Sequence, residues 1–470
     1  MSVAQRLRQK LLDLAIHGKL VPQCAKDEPA GELLVRIRKA RLQLLSAKGV
    51  KKEDQIIPVG DDEVPFELPK EWTWCRFREL GILTGGHTPS MANPKFWNGD
   101  VLWVTSKDMK RKYIEDTGAK ITALGADELT TLEPGAVLMC TRSGILRRTF
   151  PVAIAAKELT INQDQRALTL ALPEMAEYVY SALCALEPLI LAEYRKTGTT
   201  VESIIWEKFI DMPFPLPPLA EQKRIVEKLN EMLKEATRVA EGTERLAQLR
   251  KKAKAKILDL AIRGKLVKQE ELGMRNEELG IGNVKRYPPV ADDEKLFDLP
   301  KGWEWRRLGE ISEIITGATP STKHPEYFNG EIPFVKPADI GESDCIATTH
   351  DTLTLEGLKT VRSIPAGSIC VCCIGSIGKA GIATKTCCTN QQINSVISQA
   401  ANNEYLYYAI LSDYFQTRLR ESATAITIAL VNKSSMSTIP IPLPPLAEQK
   451  RIVAKVKEML AACEELRIRN

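Results

Sequence analysis

The apolar positions along this chain fall into two alternating patterns. From Leu219 to about Ile262 they recur at three- and four-residue steps: Val226, Leu229, Leu233, Ala236 and Ala240, then, after a slip near Gly242, Leu246, Leu249, Ala253, Ile257 and Leu260. This spacing predicts one uninterrupted helix, long by globular standards, reaching roughly 65 Å at ~1.5 Å per residue. Such a stripe requires a partner helix, and the candidates are Leu446–Arg467 and residues 3–18, both running antiparallel to it. Residues 1–20 carry helical spacing at Leu7, Leu11, Leu14, Ala15 and Ile16 and stop at Gly18. Over 66–217 and again over 297–444 the pattern changes to short β-like runs between Gly, Pro and Asn turns. Examples are Val101–Thr105, Ala136–Thr141 and Ala167–Leu172, followed by an apolar helix near Tyr178–Leu191. The stretch from Pro22 to about Pro65 is polar, with a short helix around Leu33–Leu45 and the charged run Lys51–Asp54; residues 269–296 form a second polar linker.

The two patterns meet at a hinge that occurs twice. Pro215–Val226 reads Pro-Leu-Pro-Pro-Leu-Ala-Glu-Gln-Lys-Arg-Ile-Val, and Pro442–Val453 repeats it letter for letter. Pro218 and Pro445 suit the first helical position, where a missing N–H costs nothing. Glu221 and Glu448 fall in the first turn, at the positive end of the helix dipole. Each hinge therefore ends a β-rich unit and starts a charged helix.

The repeat extends beyond the hinge. Phe66-Glu-Leu-Pro-Lys-Glu-Trp72-Thr-Trp74 returns as Phe297-Asp-Leu-Pro-Lys-Gly-Trp303-Glu-Trp305, Gly86-His-Thr-Pro-Ser90 as Gly317-Ala-Thr-Pro-Ser321, and Phe96-Trp-Asn-Gly99 as Tyr327-Phe-Asn-Gly330. The offset is 231 here and 227 at the hinge, so the second copy has lost a net four residues. A third match, Lys10–Val21 with Lys256–Val267, has a different offset. In chain order the plan is helix end, globular unit, whole helix, globular unit, helix start: a circularly permuted tandem repeat. The expected segments are 1–65 (helix and linker), 66–217 (first globular unit), 218–296 (long helix and linker), 297–444 (second globular unit) and 445–470 (helix).

Composition narrows the class. With 470 residues and 44% apolar content the chain can build two ordinary cores. It has no run of 18 apolar residues, so a membrane span is not expected. Met1–Lys10 lacks the apolar core of a secretory signal and matches an internal segment, so it reads as structure. Eleven cysteines, an odd number, point to reduced thiols and a cytoplasmic home. The net charge of +5 decides little, but Arg245–Lys268 holds nine Lys/Arg against the single acid Asp259.

No catalytic or metal constellation emerges. Asn93-Pro-Lys-Phe96 only superficially resembles the base-clamping motif of adenine methyltransferases, and its second copy reads His324-Pro-Glu-Tyr327. Gly375-Ser-Ile-Gly378-Lys379 is too short for a phosphate-binding loop and suits a tight turn between strands. Cys370, Cys372, Cys373, Cys387 and Cys388 fit no common zinc spacing and read as buried thiols in paired strands. Trp72, Trp74, Trp303 and Trp305 alternate as core strand residues, and His87 aligns with Ala318, so it is not a shared catalytic group.

What remains is cations beside turns. The first unit offers Lys107, Lys110, Arg111, Lys112, Arg142, Arg147 and Arg148; the second offers Lys323, Lys336, Arg362, Lys379 and Lys385, with Asn390, Gln391 and Gln392 nearby. Lys and Arg neutralise phosphates, while Arg and Gln pair with guanine and adenine edges in the major groove. Two similar scaffolds with different turn residues, joined by a rigid helix, suit two different short sequences.

The doubled hinge, the Leu-Pro-x-x-Trp openings and the Gly-x-Thr-Pro-Ser loops together resemble the specificity subunits of type I restriction-modification enzymes, over nearly the whole chain. The resemblance implies an α+β fold in which two similar mixed α/β target-recognition domains are separated by long antiparallel coiled-coil-like helices. It implies no catalysis and no cofactor on this chain. Its partners would be double-stranded DNA, two methyltransferase subunits and restriction subunits, which would hold the S-adenosylmethionine, ATP and magnesium chemistry. Thr88, Ser90, Thr319 and Ser321 of the repeated loops join the cations and glutamines as expected DNA contacts. The competing expectations are a self-contained DNA methyltransferase or nuclease, and a coiled-coil adaptor that would not need two divergent globular units.

Overall fold

The computed structural model describes residues 3–47, 49, 55–127, 129–196, 201–268, 287–341, 344–423 and 429–465. The charged run Lys51–Asp54, most of the expected second linker and the end of the last helix lie outside these residues. The chain divides into two units, Met1–Thr243 and Glu244–Asn470. The principal elements of the first are helices α1 (Val3–Ile16) and α2 (Ala30–Ala47), then strands β1 (Thr73–Arg76), β2 (Gly81–Gly85), β3 (Trp97–Val104), β4 (Tyr113–Ile114), β5 (Ala119–Ile121), β6 (Val137–Cys140), β7 (Val152–Ala155), β8 (Leu159–Ile161) and β9 (Gln165–Leu170). Helices α3 (Ala176–Ala185) and α4 (Glu187–Glu193), strand β10 (Pro213–Leu216) and the long helix α5 (Leu219–Ile262) follow, and α5 continues into the second unit. There the strands are β11 (Glu304–Arg307), β12 (Ser312–Thr316), β13 (Phe328–Val335), β14 (Cys345–Ile346), β15 (Asp351–Leu353), β16 (Ile369–Cys372), β17 (Ala380–Ala383), β18 (Cys388–Thr389) and β19 (Ile393–Ser398). Helices α6 (Asn403–Leu411) and α7 (Asp413–Glu421), strand β20 (Pro440–Leu443) and helix α8 (Leu446–Glu465) complete it.

Apart from a short ladder of Arg195–Lys196 with Ser203–Ile204 in the first unit, which has no counterpart among the described residues of the second, the strand orders match. The first unit has a five-stranded sheet β2-β9-β6-β7-β4, a three-stranded sheet β5-β3-β8 and the pair β1-β10; the second has β12-β19-β16-β17-β14, β15-β13-β18 and β11-β20. The repeated Asn-Gly is a bulge signal: Asn98 and Asn329 adopt φ of 63° and 62°, and the register of β3 against β5, and of β13 against β15, shifts at that point.

Each hinge works as its prolines dictate. β10 and β20 are fully buried, and the helices begin directly after Pro218 and Pro445. Gln222 and Gln449 donate back to the carbonyls of Pro217 and Pro444 at 2.9 and 2.8 Å. Tyr178 and Tyr405 donate to the carbonyls of Pro215 and Pro442. The first-turn carboxylates are more buried than a dipole argument requires, because Glu448 accepts the Trp303 indole N–H at 3.0 Å and Glu221 accepts Gln23 at 2.6 Å. Burial pushes the Glu221 carboxyl above its usual range, against the pull of the Gln23 hydrogen bond.

The permuted match is visible in the packing. Leu11, Leu12, Ala15 and Ile16 of α1 share a core with Ile225 and Leu229 of α5; Ile257, Leu258, Ala261 and Ile262 share one with Ile452 and Val456 of α8. Gly18 and Gly264 end these helices at φ +63° and +66°, and a Cβ there would strike the rings of Pro69 and Pro300, with Trp72 and Trp303 next nearest. Gln5 and Arg8 line a depression with Leu233, Ala236 and Thr237, farther along α5 than Leu229, which is the register of an antiparallel pair. Each fully buried Leu or Ile in these seams contributes about 2 kcal/mol.

Three details depart from the sequence reading. Leu249, expected on the apolar stripe, is 54% exposed; at about 100° per residue it lies about 80° from Ile257, about 120° from Ala261 and about 180° from Leu258, to one side of the buried face. The single apolar helix near Tyr178–Leu191 is two, α3 and α4, bent by 58° at the break; Pro188 lacks the N–H and crowds the carbonyl four residues back. The short helix expected around Leu33–Leu45 is present as the longer α2, but it belongs to the first core and not to a linker: it buries Leu33, Leu34 and Ile37 there, while Arg38 pairs with Glu79 at 2.6 Å and Arg41 donates to the Gly81 carbonyl at 2.8 Å.

Candidate nucleic-acid interface

In each unit the Gly-x-Thr-Pro-Ser loop folds onto an Asn-Gln turn between strands. His87 N donates to the Ile161 carbonyl at 3.0 Å, and Ala318 N to that of Thr389 at 2.9 Å. Gly86 and Gly317 come so close to the Asn162 and Asn390 carbonyls that no side chain fits. Across this contact the Thr88 hydroxyl donates to Gln163 Oε1, and the Thr319 hydroxyl to Gln391 Oε1 at 2.7 Å. In the first unit two indoles support the loop: Trp103 Nε1 donates to the His87 carbonyl and Trp97 Nε1 to that of Ser90, both at 3.2 Å, with the rings edge to face at 5.1 Å. Phe334 and Phe328 hold these positions in the second unit.

Two further loops start beside the Asn-Gln turn. The backbone N–H groups of Thr141 and Arg142 donate to the Asp164 carbonyl, and that of Cys373 donates to the Gln392 carbonyl. Asn162 N donates to Val104 and Asn390 N to Val335, so the loops after β3 and β13 begin here as well. Asp108 pins one through Thr105 and Gly118, and Asp339 pins the other through Lys336 and His350. A cavity of about 330 Å³ opens among Arg142, Ser143, Gly144, Gln163, Asp164 and Val201. One of about 530 Å³ lies among Gly375, Ser376, Ile377, Lys379, Arg420, Ala423 and Ala429.

The expected contact residues sort into three groups. Thr88, Ser90 and Arg142 meet on this platform in the first unit, as do Thr319, Ser321, Gln391, Gln392 and Lys379 in the second. Lys107, Lys110, Arg111, Arg148 and Lys323 are exposed on adjoining loops, and none makes an ion pair with a described residue. The third group is engaged elsewhere. Lys112 pairs with Glu177 and lies 5.3 Å from the Tyr180 ring, turned toward α3. Arg147 reaches Glu202 at 3.1 Å, and Lys336 pairs with Asp351, holding that carboxyl below its usual range. Lys385 lies at the end of β17 remote from Lys379, and Arg362 precedes the Ile364–Cys387 bridge on that same remote side.

Sequence reading passed over Asn162 and Gln163. Their match to Asn390-Gln391 was a usable signal, but only the second copy was picked out. The five clustered cysteines are buried in or beside β16 and β18 as expected, and burial raises Cys372 to about 11 and both Cys373 and Cys388 to about 12, so these stay protonated. Trp72 and Trp303 are core residues, whereas Trp74 and Trp305 are half-buried against Phe66 and Phe297 at 5.0 Å. Gly375–Lys379 is a turn between β16 and β17, with Gly375 and Gly378 at φ 75° and 91°.

Comparison with known proteins agrees with this duplicated layout. The family model described as the type I restriction modification DNA specificity domain matches twice, over residues 69–248 and 300–470. The type I restriction enzyme EcoEI specificity subunit of Escherichia coli is 25% identical over 548 residues, covering 99% of this chain and 90% of that one. The EcoAI specificity subunit of the same organism is 23% identical over 544 residues, covering 98% and 90%. A solved chain, described under complex assembly and conformational transition of the type I R-M system, shares the fold at a TM-score of 0.57 and 21% identity, covering 86% of this chain and 93% of its own. Nothing in these matches supports a self-contained methyltransferase or nuclease. With two copies of that family's domain filling most of its length, the chain belongs to the type I restriction-modification specificity subunits, the non-catalytic members of their complexes.

Proposed function

We propose that this chain reads a bipartite, asymmetric DNA target, one half with each globular unit, and brings a methyltransferase and a restriction activity to that sequence. Two methyltransferase subunits dock on it and restriction subunits join them, all in the cytoplasm. S-adenosylmethionine, ATP and magnesium belong to those partners. Base reading falls to the loops that differ between the units, and positioning on phosphates to the exposed lysines.

The observation that carries this reading is where the copies diverge. Cys140 N donates to the Pro151 carbonyl and Cys372 N to that of Lys379, so the intervening loop has ten residues, 141–150, in one unit and six, 373–378, in the other. The net four-residue loss therefore falls in the loop on the platform, while the flanking strands keep their pairing. A scaffold held constant under a variable loop is what two different half-sequences require.

The test is to exchange residues 88–165 for the matching region of a relative and map methylated sites in cells carrying the whole system. One half of the target should change and the other should stay. A simultaneous change in both halves would refute the division of labour.

A further inference from the structure

The Thr–Gln bond is the side-chain contact between the repeated loop and the Asn-Gln turn that both units share. Thr88 with Gln163 and Thr319 with Gln391 make the same hydrogen bond in both units, although Arg142 stands where Ile374 does and the neighbouring loop differs in length. Gln163 and Gln391 are exposed, so their bonds to threonine contribute little to folding. Each turn is nevertheless held firmly. Buried Asn162 and Asn390 accept the N–H groups of Gln165 and Ile393 at 3.1 Å, and Asn390 Nδ2 donates to Gln392 at 2.9 Å.

The bond fixes which atoms face outward. The threonine hydroxyl donates to Oε1, and Nε2 of neither glutamine bonds to a described residue, which leaves the two N–H groups of each exposed amide as its donors toward a ligand. Paired donors match an acceptor-only ligand, and the phosphate oxygens of DNA are acceptors alone. The halves of an asymmetric target differ in their bases but share the sugar–phosphate backbone. Residues duplicated between the units suit what the halves share; residues that differ suit what differs.

We propose that Gln163 and Gln391, each preset by its threonine, are a matched pair of neutral phosphate clamps that seat the two units on the DNA backbone without reading sequence. The inference rests on the DNA-binding reading above and assigns these residues a role opposite to that of Arg142.

The experiment uses the full chain assembled with the methyltransferase subunits of its own system. Binding of a target duplex and a scrambled duplex is measured over a range of salt, with thermal unfolding in parallel. Gln391→Leu and Gln163→Leu should each weaken binding to both duplexes alike, on the order of tenfold. Gln391→Glu, which sets a carboxylate against a phosphate, should lose more. A neutral donor releases no counterion, so the slope of log affinity against log salt should stay unchanged, unlike a lysine variant, which lowers it by about one. Methylated sites and the melting temperature should both match the unmutated complex. A shifted base preference in one half would make the glutamine a base reader and overturn the proposal. Unchanged binding with a lowered melting temperature would make it a brace and also overturn it. Failure of the unmutated complex to prefer its target would instead remove the DNA-reading premise, a result scored before any variant is compared.

Discussion

Replacing Arg307 should destabilise the second unit more than almost any other single change at a polar residue. Its side chain is only 6% exposed and makes five hydrogen bonds. Two run to the Glu294 carboxylate at 2.6 Å each, and the others to the carbonyls of Thr438, Pro289 and Pro288 at 2.7, 3.1 and 3.2 Å. The guanidinium thus sews the segment before the globular body to β11 and to the turn that precedes β20. Arg307→Ala leaves three carbonyls and a carboxylate without their donor. Breaking a buried pair costs about 3–5 kcal/mol, and because water reaches Glu294 the expectation here is about 2–4 kcal/mol. For a unit of this size that is a fall of roughly 5–12 °C in melting temperature. Arg307→Lys keeps a charge but not the fork, and should recover less than half. Urea unfolding of both variants measures this, and a loss below about 1 kcal/mol for the alanine would refute the reasoning. The sign of the pH dependence is fixed as well. Hydrogen bonds from Arg307 hold Glu294 below its ordinary value of 4.5, so its contribution is complete above that value and lost as pH falls through the folded pKa. The gap between wild type and Glu294→Gln should therefore narrow in acid. Arg76 and Glu63 repeat the clasp in the first unit, and with Glu63 lowered from 4.5 to about 2 the corresponding gap should narrow progressively below 4.5 and close near 2.

Other outcomes follow from the same geometry. Arg142→Ala should weaken target binding by about 1–3 kcal/mol and relax discrimination at one position, read from methylated sites; a uniform loss with a shallower salt dependence would mark a phosphate contact instead. Gly264→Ala should destabilise the second unit by more than the ~1 kcal/mol cost of positive φ, because its methyl meets Pro300, and Gly18→Ala should do the same to the first; thermal melts showing no loss would refute the helix-end argument. Duplicating Glu244–Ala247 lengthens α5 by roughly 6 Å, about two base pairs, and should leave both half-sequences unchanged but farther apart; an unchanged gap in the methylated sites would show that α5 does not set the spacing.

The helix scaffold was legible because periodicity and punctuation are local. Leu219–Ile262 could be bounded from Pro218 and the apolar steps alone, and Gly18 marked the end of the first helix. The clasp was not legible. Nothing local distinguishes Arg76 or Arg307 from other surface-rich arginines, since their partners lie 13 residues back and more than 130 ahead. The interface was half legible for a related reason. Basic runs stand out in a sequence, yet Lys112, Arg147 and Lys336 are held by Glu177, Glu202 and Asp351 on other segments. Gln163, uncharged and unremarkable in its own neighbourhood, is marked in the sequence only by its match to Gln391, and the bond to threonine that both make adds what the match alone does not show.

The strand pairing brings the two ends of each globular body together. β1 lies antiparallel to β10, with Thr73 opposite Leu216, and β11 to β20, with Glu304 opposite Leu443. The two ends of each globular body are therefore neighbours in one short ladder, so replacing a body between them as a cassette should leave the helices that enter and leave it in place, and a swapped protein that fails to fold would refute this. The permutation adds economy. α5 leaves the first body and arrives at the second, while α1 and α8 supply the arriving and leaving helices that remain. Residues in β1, β10 and the hinges thus serve continuity and are duplicated, whereas the loop 141–150 and its shorter counterpart 373–378 are free to differ. A substitution on the hinge side should alter stability without altering the sequence methylated, and one in the platform loops should do the reverse.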